Sequence, residues 1–143
     1  MVMTLKNKKG CIFCDIVNGR APSHWIYEDQ HVAAFLSLEG HPLIVPKPHF
    51  ADVFVLDEIH AAAVMQAAVR VAKATKIATQ CDGINLVQSN GAAAGQDVFH
   101  FHLHIKPRFR DDDVTMSWDT KETDDKIRTK TSAAITQLLE KSS

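Results

Sequence analysis

The sequence predicts an α+β fold with a mainly antiparallel five-stranded sheet, one long helix and a C-terminal helix. Five short segments have the alternating or apolar pattern of strands and are bounded by turn residues. Two longer segments, 57–80 and 124–141, repeat apolar residues every three or four positions, as amphipathic helices do. Because the hairpin-like strands are grouped apart from the helices, an antiparallel sheet covered by helices is expected.

The elements follow in order along the chain. Residues 1–10 are polar and rich in lysine, and we expect a flexible N-terminus there. A short helical turn is predicted at 14–18, ended by Gly19. Four of the strands are predicted at 25–28, 31–36, 41–45 and 84–87.

Both helices have recognisable ends. Asp57 is a good N-cap for the long helix, which should run to about Gln80, with Gly83 just beyond it. The buried stripe of this helix is predicted to consist of Ala61, Val64, Ala68, Val71, Thr75 and Ala78. Residues 108–113 read as a charged turn. The C-terminal helix is predicted to present Ile127, Thr131, Ala134, Ile135 and Leu138 on one face.

The fifth strand carries three histidines. His100, His102 and His104 occupy every second position of the segment 95–108. Successive side chains of a strand point to opposite faces, so all three imidazoles are expected on one face. The residues expected to be buried on the other face are Phe99, Phe101, Leu103 and Ile105.

Three histidines in register suggest either metal chelation or nucleophilic catalysis. In a strand, His100 and His104 would lie about 13 Å apart, too far for all three to hold one ion easily, although a neighbouring pair could. A neutral imidazole, with a pKa of about 6.5, is a good nucleophile near neutral pH. The preceding loop, 88–95, contains small residues and two glycines, which let backbone N–H groups approach a phosphate. This loop favours phosphoryl chemistry.

Composition excludes several classes. The 143 residues are expected to form a single domain, and 45% apolar with 23% charged residues is ordinary for a globular protein. A net charge of −1 gives no basic field for nucleic acid. No apolar run approaches the roughly 18 residues that span a membrane, and no signal peptide is recognisable. Three cysteines argue against a disulfide framework and favour a reducing, cytoplasmic location.

The alternating histidines resemble the signature of the histidine triad (HIT) family, in its bacterial Hit-like branch. The likeness includes the motifs at 11–14, 40–47, 95–98 and 100–106, and covers most of the chain between residue 11 and about residue 118. The resemblance implies a single HIT-like domain over 1–143. It also implies a homodimer, formed by extending the sheet across two copies.

The resemblance also implies a mechanism. His102 matches the nucleophile, which attacks the α-phosphorus of a nucleotide to give a nucleotidyl-histidine that water then cleaves. His104 would donate to a phosphoryl oxygen or the leaving group, and the backbone of His100 would orient His102. His41 matches a fourth histidine packed behind the triad. The implied substrates are nucleoside phosphoramidates and dinucleoside polyphosphates, usually of adenosine, handled without a catalytic metal.

Substrate contacts are carried over residue by residue. The positions that match an apolar base pocket are Ile12, Phe13, Ile16 and Phe35. Those that match phosphate contacts, largely through the backbone at 95–97, are Ser89, Gly95, Gln96 and Asp97. Ser37 stands where relatives usually carry an aspartate that holds the ribose, and the loop 38–40 is about four residues shorter than expected. We therefore expect weaker ribose discrimination, unless Glu39 substitutes.

Cys11 and Cys14 form a CxxC pair. From the spacing alone the pair could be two buried thiols, a redox pair or half of a zinc site, with His49 and His100 as candidates for the missing ligands. In some bacterial relatives a CxxC and two histidines hold zinc, so the resemblance favours a structural Cys₂His₂ site.

Two rival functions remain compatible with the sequence. One is a nucleotide-binding regulatory module without significant turnover, against which the intact triad argues. The other is a metalloenzyme that uses the histidines as ligands, which activity resistant to a chelator would exclude.

Overall fold

The structure is a computed structural model that describes residues 7–142. The predicted flexible N-terminus therefore lies partly outside the described residues; of it, residues 8–11 form a turn closed by Cys11 N–H donating to Lys8 O at 3.2 Å. The contacts divide the chain into two compact units at Asp112, and each is described by itself. One domain over 1–143 stays a prediction.

The first unit is built on an antiparallel sheet, which confirms the predicted α+β class. Within residues 7–142 the sheet has five strands in the order β1-β2-β3-β5-β4. The strands are β1 (Trp25–Glu28), β2 (Val32–Leu36), β3 (Pro42–Pro46), β4 (Gly83–Val87) and β5 (Leu103–Arg108). Because β5 lies between β3 and β4, the histidine segment is placed beside the strand that follows His41, with His104 paired to Leu43.

The helices of this unit cover both faces of the sheet. They are α1 (Ile12–Val17) and α2 (Glu58–Thr79), with a single 3₁₀ turn at Ala92–Ala94. The Asp57 carboxylate accepts from His60 N–H at 2.8 Å and caps α2 as predicted. The helix ends at Gln80, which takes the left-handed conformation (φ 56°).

The buried stripe of α2 differs from the prediction at both ends. Its central members Val64, Ala68, Val71 and Thr75 are buried as expected, together with Ala63 and Ala67. Ala61 is exposed, because the buried face of α2 begins at Ala63 and Val64. Ala78 is exposed because it lines an open apolar cavity of about 400 Å³ instead of packing on a strand.

Alternation along the strands divides the apolar residues into two cores. Val32 and Ala34 of β2 and Ile44 of β3 pack with α2. Their strand neighbours point to the opposite face and pack with α1, and these are Ala33, Phe35, Leu43 and Val45. The histidines lie where the second core meets β5.

The histidine segment is less regular than predicted. Its ladder begins only at Leu103, and Phe101 N–H donates instead to Phe50 O at 2.6 Å. Phe101 is buried in the α2 core, as expected, whereas Phe99 is 48% exposed. The prediction for Phe99 is wrong because alternation fails before residue 101, where His100 is fully buried against the N-terminal cysteines instead of following the sheet.

The second unit contains α3 (Asp125–Lys141), capped by the Asp124 carboxylate, which accepts from Lys126 N–H at 2.8 Å. This confirms the predicted C-terminal helix. None of its described residues is buried.

The charged turn at the end of the first unit starts one residue later than predicted, because Arg108 belongs to β5. The Arg108 guanidinium binds both carboxylate oxygens of Asp112 at 2.9 Å. No helix in residues 7–142 is long and apolar enough to cross a membrane.

Candidate active site and metal centre

His41 and His104 form a hydrogen-bonded pair across β3 and β5. His104 lies opposite Leu43 in the ladder, which brings the ring of His41, two residues before Leu43, against the ring of His104. The distance between His41 Nε2 and His104 Nδ1 is 2.8 Å. The sequence-predicted fourth histidine is therefore in direct contact with the triad.

His102 is held in one tautomer by the main chain. Its Nδ1–H donates to the carbonyl oxygen of His100 at 2.7 Å. A carbonyl oxygen only accepts, so the hydrogen of the neutral ring resides on Nδ1 and Nε2 keeps its lone pair. The ring is buried and packs edge-on against Phe13 (5.1 Å between centroids) and His104 (4.9 Å). In the neutral form of this ring, Nε2 is therefore the unprotonated nitrogen.

The surroundings keep the His41–His104 pair neutral. Burial, aided by the neighbouring His102, His41 and Lys106 and opposed by Asp97, lowers the pKa of His104 to about 4. Burial also lowers the pKa of His41, aided by Lys106 and opposed by Glu39. A neutral imidazole donates from one nitrogen and accepts at the other, so the pair can pass a proton.

Ser37 faces His41 across the turn between β2 and β3. Its hydroxyl oxygen lies 3.2 Å from His41 Nδ1 and accepts the His41 main-chain N–H at 3.3 Å. Gly40 N–H closes the turn on Ser37 O at 3.0 Å, with Gly40 in a positive-φ conformation (93°) that the tight turn requires. The short loop thus directs Ser37 toward the histidine pair.

Gln96 holds the small-residue loop in shape. Its side-chain oxygen accepts from Gly91 N–H at 2.7 Å, and its amide nitrogen donates to Ala51 O at 2.8 Å and to Val98 O at 3.1 Å. Because these bonds occupy the buried side chain, any ligand contact by Gln96 would involve its main chain. Gly91 and Gly95 have φ near 90° on either side of the 3₁₀ turn. Ser89 is partly buried, whereas Gly95 and Asp97 are exposed.

Of the predicted base-pocket residues, Phe13 contacts His102 directly. Phe13, Ile16 and Phe35 are buried members of the α1 core, whereas Ile12 is 48% exposed. Phe13 contacts both Phe35 (5.6 Å between centroids) and His102. The structure therefore brings an apolar surface next to the central imidazole.

The four predicted metal ligands lie together. Their ligand atoms, from Cys11, Cys14, His49 and His100, all lie within 4.8 Å of one another. The Nδ1 atom of His100 is 3.4 Å from Cys11 Sγ and 3.5 Å from Cys14 Sγ, and His49 Nδ1 is 3.4 Å from Cys14 Sγ. Tetrahedral zinc with ordinary Zn–S and Zn–N bonds separates sulfur from nitrogen by about 3.5 Å. The spacing of these donors fits such an ion.

The protonation of this cluster also fits a cation. His100 Nε2–H donates to Pro46 O at 2.8 Å, which leaves Nδ1 bare toward the thiols. Burial raises the pKa of the Cys14 thiol to about 11, so a thiolate there requires a compensating positive charge. Cys11 and Cys14 are free of a disulfide. The chemistry of the donor set therefore suits a divalent, thiophilic metal.

Comparison with known proteins identifies the family. A model of the HIT domain matches residues 18–111. The chain belongs to the HIT family. It is 38% identical to protein hit of Bacillus subtilis over 117 residues, which cover 78% of this chain and 81% of that relative. It is also 38% identical, over 120 residues, to an adenosine 5′-monophosphoramidase of Saccharomyces cerevisiae, covering 80% of this chain and 73% of the relative.

Solved structures agree with this assignment. A crystal structure from Streptococcus mutans has a TM-score of 0.88 and 34% identity, and the match covers 93% of this chain and 87% of that one. A zinc-bound histidine triad protein from Mycobacterium smegmatis has a TM-score of 0.70 and 35% identity, with 78% and 84% covered. The HIT fold predicted from the histidine motif is confirmed.

Sequence reasoning missed Pro46, and it predicted Gln96 only as a phosphate contact and not as a brace of the loop. The carbonyl of Pro46 orients His100, and the side chain of Gln96 braces the loop. Pro46 gave no signal because any residue supplies a carbonyl. The direction of the Gln96 side chain could not be predicted, because it depends on a hydrogen bond to Ala51, which is 45 residues away in sequence.

The stability of the protein should fall as the pH is lowered from about 6.5 toward 4, partly because of His104. Its folded-state pKa of about 4 lies below the ordinary value of about 6.5, so in this window the unfolded chain binds a proton that the folded chain does not. The contribution is fully present above this window and is lost as the pH falls through it. Urea unfolding of wild type and His104→Gln at about pH 7 and about pH 5 measures the difference.

We expect His104→Gln to lose less stability than the wild type over this interval. His24→Gln, at an exposed histidine, is the matched control. Equal losses for wild type and His104→Gln would contradict the assigned burial of His104.

Proposed function

We propose that this HIT protein is a nucleotide hydrolase or nucleotidyl transferase that cleaves at the α-phosphorus of a nucleoside phosphoramidate or dinucleoside polyphosphate. The observation that supports this proposal most strongly is the 2.7 Å hydrogen bond from His102 Nδ1 to His100 O. In the neutral ring, this bond leaves Nε2 unprotonated. Such a nitrogen is a nucleophile that needs no separate base.

The proposed reaction has two steps. In the first, His102 Nε2 forms a bond to phosphorus, the bond to the leaving group breaks, and His104 supplies the proton that the leaving group takes. In the second, water attacks phosphorus, the phosphorus–nitrogen bond breaks, and His104 takes the proton of the attacking water. Splitting the transfer in this way is the advantage of a covalent intermediate.

A purine nucleotide of the AMP type is the proposed substrate. The sequence likeness to a yeast adenosine 5′-monophosphoramidase supports a phosphorus–nitrogen bond as one cleavable bond. Phe13 packs against His102 and Ile12, the preceding residue, is exposed, so these two are the proposed apolar contacts of the base. Ser89 and the backbone of residues 95–97 are the proposed phosphate contacts, since amides flanked by glycines can hold phosphoryl oxygens.

Zinc is the proposed occupant of the cluster of Cys11, Cys14, His49 and His100. The donor spacing and the bare Nδ1 of His100 support it, as does the zinc-bound relative from Mycobacterium smegmatis. When bound, a zinc ion would fix this part of the fold and neutralise the thiolates; it would take no part in the reaction. The side chain of His100 would serve the metal while its carbonyl orients His102.

We also propose that two copies pair by extending the sheet. The strands β1 and β4 are the edges of the described sheet, and an edge strand presents unpaired main-chain groups. We assign the pairing to β4, which is five residues long and regular, whereas the pairing of β1 is interrupted by a bulge between Trp25 and Tyr27.

His102→Ala should reduce hydrolysis of an adenosine phosphoramidate by roughly 10⁴-fold or more, because it removes the nucleophile. Circular dichroism and the unfolding midpoint check that the fold is intact, and His24→Ala controls for loss of a histidine. Quenching the wild type in alkaline detergent, where a phosphorus–imidazole bond survives, should also trap one nucleotide on His102. Turnover by His102→Ala at the wild-type rate would refute the covalent mechanism, and binding without any turnover by the wild type would favour a regulatory module.

Protein purified without added metal should contain about one zinc per chain by elemental analysis, since two thiols and two imidazoles complete a tetrahedral set. Cys11→Ser should lose most of this zinc and unfold at a lower temperature. The control is Cys81→Ser, at a buried thiol outside the cluster, which should retain the metal. Zinc far below one per chain, or equal zinc in Cys11→Ser and the wild type, would refute the site.

Light scattering of the purified protein should give the mass of two chains at micromolar concentration. Leu86→Pro, in the middle of β4, should shift the mass toward one chain, because proline removes a main-chain donor and distorts the edge. A wild type with the mass of a single chain would rule out the dimer.

A further inference from the structure

Ser37, His41 and His104 form one continuous hydrogen-bonded row. Ser37 N–H donates to His41 O at 2.8 Å, so the two residues face each other where the hairpin closes. Across this closure the Ser37 hydroxyl lies 3.2 Å from His41 Nδ1. The opposite nitrogen of the same ring, Nε2, lies 2.8 Å from His104 Nδ1. Three groups that both donate and accept are thus connected end to end.

The hydroxyl of Ser37 is free to donate along this row. The main-chain N–H of His41 donates to Ser37 Oγ at 3.3 Å and occupies one acceptor position of that oxygen. The hydroxyl hydrogen can then point at His41 Nδ1, while the remaining lone pair accepts from water. Ser37 is partly exposed and the adjoining Leu38 is fully exposed, so solvent reaches this end.

The other end of the row is His104. His104 is partly buried between His41 and His102, with ring centroids 5.1 and 4.9 Å away. In the described part of the chain its hydrogen bond uses Nδ1, which leaves Nε2 for a reacting group. Lys106 and Asp97 act on His104 with opposite signs, and Lys106 and Glu39 do so on His41. Burial is the main cause that lowers the pKa of each ring, so both are neutral near neutral pH, the state in which a proton can pass.

We propose that Ser37 is a positioning residue at the solvent end of a proton path that recharges His104. The proposal rests on the proposed hydrolysis, because it concerns the proton that the leaving group takes. It differs from a ribose contact, the role that a residue at this position would otherwise have.

Each residue of the row gains one proton and loses one proton. When His104 gives its Nε2 proton to the leaving group, it takes a proton at Nδ1 from His41 Nε2. His41 takes the Ser37 hydroxyl hydrogen at Nδ1, and Ser37 takes a proton from solvent. One proton enters and one departs, so all three residues stay neutral. When water cleaves the intermediate, its proton enters at His104 Nε2 and the same shifts run in reverse.

The first test measures the row without any turnover. Ring ¹⁵N shifts of His41 and His104 are compared by NMR in wild type, Ser37→Ala and Leu38→Ala, the last being a control in the same turn. Ser37→Ala should shift the His41 Nδ1 signal and, through the pair, that of His104, whereas Leu38→Ala should leave both unchanged. Unaltered His41 shifts in Ser37→Ala would overturn the proposal whatever the activity.

The second test measures the first chemical step. With an adenosine phosphoramidate, Ser37→Ala should slow the initial release of amine by about tenfold and leave KM unchanged. The tenfold loss is a part of the roughly 10²–10⁴-fold acceleration that general acid catalysis supplies. With the p-nitrophenyl ester of AMP, whose leaving group needs no proton, the initial release should change less than about twofold. Ser37→Thr, which keeps the hydroxyl, should restore the rate with the amine.

A solvent isotope measurement separates a proton path from a structural role. In mixtures of H₂O and D₂O the wild-type rate should curve with deuterium fraction, because several protons move together, and Ser37→Ala should give a straight line. Raised KM with unchanged kcat in Ser37→Ala would make Ser37 a ribose contact and overturn the path. A wild type without turnover would overturn the proposed function and with it the recharging of His104, even if NMR shows the row intact.

Discussion

The hydrogen bond between His102 Nδ1 and the carbonyl of His100 is the interaction on which the site depends. It leaves the other nitrogen of His102 unprotonated, so that a buried imidazole can act as a nucleophile. A main-chain carbonyl two residues away cannot rotate away as a side-chain partner could. The price of this arrangement is the burial of His100, whose ring must find partners inside the protein.

His100 connects two otherwise separate parts of the fold. Its Nε2 donates to Pro46 at the end of β3, and its Nδ1 faces the thiols of Cys11 and Cys14 at the start of α1. The N-terminal segment is thereby attached to the segment that carries His102 and leads into β5. A metal in this cluster would act on the reaction only through the position of the His100 carbonyl. The proposed reacting groups are His102 and His104, and His104 is hydrogen-bonded to His41.

Most of the fold follows from periodicity, and the exceptions have physical causes. Alternation correctly divided Phe101, Leu103 and Ile105 from the histidines, because each strand must bury one face. It failed at Phe99, because His100 packs against the cysteines and the strand begins only at Leu103. His49 and His100 could be named as candidate partners of Cys11 and Cys14, but only the family resemblance favoured this grouping over its alternatives, since no local pattern joins residues so distant in sequence. The contact of Ser37 with His41 was not anticipated, because it depends on the shortened turn between β2 and β3.

The central claim concerns the tautomer of His102, and ¹⁵N NMR of its ring in the resting protein near neutral pH tests it most directly. The account predicts a hydrogen on Nδ1, seen as a one-bond coupling on that nitrogen, and an Nε2 signal typical of an unprotonated ring nitrogen. A hydrogen on Nε2 instead, with Nδ1 bare, would contradict it, because the nitrogen assigned to attack phosphorus would then carry a proton.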